Sequence, residues 1–193
     1  MRIPPPVIAT TAIVATLVGA STVGCSSESK SPPSSGSATA THPAISDYTT
    51  LLIKASDINA PDAFTAGPAT KDPNNQPGAT VTFTDADHSH TIIDTIEIQQ
   101  DIEAAASALD SAKAKHRETL QAKSLRAEVG VGGVTVTGLS PDHSKGVTVL
   151  MFTEGKALVT LEFDGPSFAL APPEFITDVG QKQDEKIKKA LGS

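Results

Sequence analysis

Hydrophobic positions follow two rhythms along this chain. Val81 and Phe83 alternate with Thr80, Thr82 and Thr84, the period-two pattern of a half-buried strand over residues 79–84. The β-branched run 91–98 predicts a second strand, and the polar stretch 85–90 between them reads as the turn of a hairpin. A third strand is predicted over 130–137, with Val134 and Val136 inward, followed by a loop over 138–145. Residues 147–153 become apolar on both faces at Leu150, Met151 and Phe152, as a central strand requires. Glu154 and Gly155 then predict a tight turn. Ala157, Val159, Leu161 and Phe163 alternate inward as the fifth strand, over 157–163.

The second rhythm is helical. Ile102, Ala105, Leu109, Ala112, His116 and Leu120 recur on one face behind Asp101, which caps a helix running to about residue 122. That face is narrow and rich in alanine, which predicts a close approach to a sheet. Pro172 and Pro173 open a last helix, whose buried stripe is Phe175, Ile176, Val179, Ile187 and Leu191. Lysines gather at the C-terminal ends of both, where the helix dipole favours them. A shorter helix over 45–58, capped by Ser46 or Asp47, precedes a Pro-, Gly- and Asn-rich loop over 59–78. The order β-β-α-β-β-β-α predicts an α+β fold: a mainly antiparallel sheet of about five strands packed against two longer helices.

Neither rhythm extends into the first 44 residues. Met1 and Arg2 lead an uncharged stretch, and Val7 to Gly24 is rich in Ala, Val, Ile and Thr. It closes on Ser21, Thr22, Val23, Gly24 and then Cys25, the chain's one cysteine. A basic start, an apolar middle and small residues before a cut form a secretory signal peptide over 1–24. Residues 26–44, SSESKSPPSSGSATATHPA, contain no large apolar side chain and read as a flexible tether. Residues 45–193 are then a single domain, long enough to bury a core without staples.

Composition narrows the function. One cysteine excludes an internal disulfide and a multi-cysteine zinc site. A net charge of -7 and 4% aromatics argue against nucleic-acid binding. The densest polar cluster is Asp85, Asp87, His88 and His90. On an extended chain His88 and His90 would face the same way, as a two-histidine metal edge requires, with Asp142 or His143 as further ligands. A solvated hairpin turn is the plainer reading of the same residues. His116, on an apolar helix face, reads as a packed side chain rather than a catalyst. Asp142, His143 and Ser144 are sequence neighbours, which does not make a triad, and no Gly-x-Ser-x-Gly elbow occurs. Gly130, Gly132 and Gly133 precede a strand, not a helix, so they form no phosphate loop. Residues 84–89 and 139–144 echo one another, which turn chemistry alone can produce. No catalytic residue, resident metal or cofactor is therefore expected, and the chain reads as non-enzymatic.

Small residues, Gly24 and then Cys25 resemble the lipobox of bacterial lipoproteins, although Thr22 stands where leucine is usual. With the Ser/Thr/Pro tether and the Ala-, Thr- and Val-rich composition, the chain is similar to mycobacterial envelope lipoproteins. That resemblance implies a diacylglyceryl thioether on Cys25, cleavage before it and acylation of the new amine. Palmitate and related acyl chains would then hold the protein on the extracytoplasmic face of the cell membrane. Its partners would be the membrane, and an envelope protein, a cell-wall component or a glycolipid. Three readings stay open: a binding or interaction domain, a lipid or glycolipid carrier and, with no catalytic motif behind it, an envelope hydrolase. The carrier requires an apolar pocket of roughly 300–1,000 Å³ between sheet and helices.

Overall fold

The structure is a computed structural model that describes residues 47–192. The signal, Cys25 and the tether lie outside the described residues. Eight strands form one antiparallel sheet. They are β1 (Thr65–Ala66), β2 (Thr70–Lys71), β3 (Gly78–Thr84), β4 (Thr91–Ile98), β5 (Ser124–Arg126), β6 (Val131–Leu139), β7 (Lys145–Glu154) and β8 (Ala157–Pro166). The order across the sheet is β1-β3-β4-β8-β7-β6-β5, with β2 pairing beside β1 on β3. The described residues also form two α-helices, α1 (Ile102–Thr119) and α2 (Pro173–Leu191).

The α+β class and the five long strands match expectation, but the sheet is larger than about five strands. The three additions are two- and three-residue edge pieces, β1, β2 and β5, too short to carry a readable alternation. β8, not β7, lies at the centre of the order. The turn between them is Gly155 and Lys156, because Glu154 still pairs with Ala157. Gly155 adopts φ +55°, a conformation that suits glycine.

The predicted helix over 45–58 is instead two 3-10 turns, Tyr48–Leu51 and Ala55–Asp57. Leu51, Leu52 and Ile53 are all buried. Three consecutive inward residues do not fit one helical face. Asp47 does cap the first turn, accepting from the Thr49 amide at 3.0 Å.

The two helices cover opposite faces of the sheet. Even-numbered β7 residues Leu150 and Phe152 join Ile92, Ile96, Leu161, Phe163 and the Ile176, Val179 and Ile187 stripe of α2 in the larger core. Val147, Val149 and Met151 join Leu158, Val136 and Leu109 of α1 in the smaller one. Burial from both sides explains the unbroken apolar run in β7. Gly180 permits α2 to sit close, since a Cβ there would lie 2.4 Å from Leu150 Cδ2. Asp101 caps α1 by accepting from the Ala104 amide at 2.7 Å. Its alanine face meets β6, β7 and β8, as the narrow stripe predicts.

Candidate functional site

Three polar clusters stand out, two of them on the α2 face. The register pairs Phe83 with Ile92 and Val81 with Asp94. One step further out, the Asp85 amide donates to the His90 carbonyl at 3.2 Å. Asp85 and His90 thus face each other at the mouth of the hairpin, and Asp94 lies deeper on the same face.

Asp85 is buried, with a side chain 4% exposed, and His90 is 46% exposed. His90 Nδ1 lies 2.8 Å from Asp85 Oδ2. The His90 backbone amide donates to both Asp85 oxygens at 3.1 Å, and the Ser89 hydroxyl donates to Oδ2 at 3.1 Å. Burial alone would raise the Asp85 carboxyl. The His90 amide, the His90 ring and the Ser89 hydroxyl outweigh it and hold the group below its usual 3.8.

Ser89, His90 and Asp85 are the residue types of a hydrolytic triad, but they are not wired as one. Ser89 Oγ is 2.8 Å from His90 Nδ1, the same nitrogen that faces the carboxylate. Activating a hydroxyl requires the acid on one ring nitrogen and the nucleophile on the other. Here both share Nδ1, and Nε2 makes no hydrogen bond among the described residues.

A pocket of about 370 Å³ opens beside this pair. Phe64, Ile92, Phe163 and Phe175 line its apolar interior. Phe163 and Phe175 meet edge to face, with ring centres 5.8 Å apart. The pocket lies between residues 59–64 and 169–175, with Ile92 of β4 and Phe163 of β8 on one side and Phe175, in the first turn of α2, on the other.

The other expected residues are dispersed. His88 adopts φ +61° at the tip of the hairpin and is exposed, so it does not align with His90. The left-handed residue breaks the extended geometry that a shared direction would need. Among the described residues no three His, Cys, Asp or Glu side chains converge as a metal site. His143 adopts the same conformation at φ +60°. Asp142 is occupied by the hydroxyls of Ser140 at 2.6 Å and Ser144 at 2.9 Å. The echoed segments build the same turn. His88 bonds back to the Asp85 carbonyl as His143 does to Ser140, and the Ser89 and Ser144 amides donate to Asp87 and Asp142.

His116 is half-buried on α1 beside a groove that also holds Lys115, Asp142, Lys145, Glu162 and Asp164. Burial and then Lys115 hold its imidazole below the usual 6.5, favouring the neutral ring. In the same groove burial and the neighbouring Asp164 raise the Glu162 carboxyl. Asp164 binds Lys145 at 3.1 Å.

Asp94 is the residue that sequence reasoning overlooked. It is wholly buried, and neither carboxyl oxygen has a hydrogen-bond partner. The Ile53 amide faces it, but that amide donates to Gln183 Oε1 at 2.9 Å. Gln183 Nε2 in turn donates to the Leu51 carbonyl at 2.8 Å, and Lys186 donates to the Leu52 carbonyl. Burial pushes the Asp94 carboxyl up to about 7, against the opposing pull of the Ile53 amide and Lys186. A signal for it existed: Asp94 occupies an inward position between Ile92 and Ile96.

No family model matches the chain, and no curated protein matches it. Its fold is similar to the extracellular domain of PknH from Mycobacterium tuberculosis, with a TM-score of 0.52 and 10% identity. The likeness covers 72% of this chain and 95% of that domain. At this identity the likeness is one of fold. No helix among the described residues is long and apolar enough to cross a membrane.

Proposed function

We propose that the protein is a lipid-anchored envelope lipoprotein whose domain binds a ligand or partner outside the cell membrane without catalysing a reaction. Cys25 at the end of a signal sequence, followed by the tether, supports the anchor. The fold shared with an extracellular domain supports the location. The observation that carries the binding role is the apolar pocket bordered by Asp85 and His90. It offers shelter and one oriented polar group, but no nucleophile set against a base. The same pocket favours the second reading, a lipid or glycolipid carrier, because about 370 Å³ falls within the range of small-ligand sites.

Metabolic labelling with palmitate in the native host tests the anchor. The wild type takes up label, fractionates with membranes and is removed by protease added to intact cells. Cys25→Ser stays unlabelled and uncleaved. Equal labelling of that variant defeats the lipoprotein reading.

A further inference from the structure

The pocket beside Asp85 has a chemical bias that narrows its ligand. Its lining includes Asp62 and Asp85 but no lysine or arginine; Asp164 also borders it, but its carboxylate is paired with Lys145 in the groove beside α1. An anionic head group would therefore meet the Asp62 and Asp85 carboxylates with no lysine or arginine in the lining to offset them. The histidine reinforces the bias. A carboxylate only accepts hydrogen bonds, so His90 Nδ1, 2.8 Å from Asp85 Oδ2, carries the ring proton. In the neutral ring Nε2 is then an acceptor. It has no hydrogen bond among the described residues and belongs to a residue that lines the pocket.

The rest of the cavity is suited to hydrocarbon. Ile92, Phe163 and Phe175 supply its walls. Beside it, Phe168 is 91% exposed and Leu170 48% exposed, an apolar rim on the segment that enters α2. The volume lies at the low end of the range for small-molecule sites. It suits one chain rather than several.

We propose that this pocket binds an uncharged, single-chain amphiphile whose head carries hydroxyl groups. The chain lies against Phe163 and Phe175, and a hydroxyl donates to His90 Nε2. Asp85 is a positioning residue: it fixes the ring's tautomer and direction. The proposal rests on the carrier reading above and specifies its ligand.

The test uses the whole mature chain from Cys25 onward, made without its signal so that the thiol stays free. It is titrated by calorimetry with decyl glucoside, decyl phosphate and decyltrimethylammonium, each below its micelle concentration. The glucoside has donors and no charge, the phosphate is anionic, and the quaternary ammonium is cationic without a donor. The expected result is saturable one-to-one binding of the glucoside, about 10-fold tighter than either charged chain, the worth of roughly one hydrogen bond. His90→Phe, which keeps a ring but no acceptor, loses that preference while chain binding persists. Ala171→Trp, which fills the cavity, abolishes binding of all three. Equal or tighter binding of the phosphate or the ammonium overturns the head-group assignment. Glucoside binding that ignores both substitutions overturns the site. Binding of none of the three overturns the pocket's role, and palmitate labelling at Cys25 separately decides the tethered-lipoprotein reading.

Discussion

Replacing Asp94 with asparagine should stabilise the domain, by an amount that grows with pH. The carboxyl moves from its ordinary 3.8 to about 7 because burial opposes its charged form. At about 1.36 kcal/mol per pH unit this corresponds to roughly 4 kcal/mol. The direction follows from proton counts. Well below pH 3.8 the group is protonated in both folded and unfolded chains and contributes no difference. Between about pH 4 and 7 the unfolded chain has released the proton and the folded one has kept it, so wild-type stability falls as pH rises. Above about 7 the folded chain holds a buried anion, and Lys186, the cation that acts on it, is already donating to the Leu52 carbonyl. The other charged groups of that segment, Lys54 and Asp57, act on Lys186 with opposite sign. Total stabilities of about 5–15 kcal/mol make this a large fraction. Urea unfolding followed by far-ultraviolet circular dichroism at pH 4, 5.5, 7 and 8 measures it. The difference between Asp94→Asn and wild type should widen by several kcal/mol from the lowest pH to the highest. A difference that stays constant with pH, or a variant less stable than wild type at pH 8, would refute the assignment.

Three other outcomes follow from the packing. Gln183→Leu should cost about 2 kcal/mol or more in urea unfolding, because it leaves the buried Ile53 amide and Leu51 carbonyl without partners. Hydrogen exchange should quicken first over residues 51–53. Gly180→Ala gains helix propensity but drives a methyl against Leu150, so a net loss of about 1–2 kcal/mol is expected. A thermal midpoint at or above wild type would show that the gap between α2 and the sheet accommodates the methyl. Asp85→Asn should destabilise by about 1–3 kcal/mol at pH 7. Because the Asp85 carboxyl is held below 3.8, its stabilisation is complete above that pH and is lost as the pH falls through its folded value. A penalty just as large at pH 2 as at pH 7 would contradict the ionised Asp85 carboxylate.

Much of the sheet was legible because alternation is a local signal. Val81 and Phe83, and then Ala157 to Phe163, disclose strand and inward face together. Helix starts were legible for the same reason, since Asp101 caps within three residues. The missed elements are set by distant partners. Leu51, Leu52 and Ile53 pack as a run because Gln183, some 130 residues away, satisfies their backbone. The edge strands β1, β2 and β5 exist only through pairing with β3 or β6.

The site was legible in composition but not in wiring. Asp85 and His90 were recognisable as a dense polar cluster. The structure turns His88 away and gives His90 to Asp85, a matter of one left-handed residue. The pocket joins segments separated by about 110 residues, 59–64 and 169–175, and no periodicity announces such a junction.

The most direct test of the account is native mass spectrometry of the full-length protein extracted from its host membrane. The predicted species begins at Cys25, carries diacylglycerol and an N-acyl chain there, and holds one additional noncovalent, hydroxyl-bearing lipid. A chain that begins elsewhere, with an unmodified Cys25 and no bound lipid, would contradict both the anchor and the pocket's role.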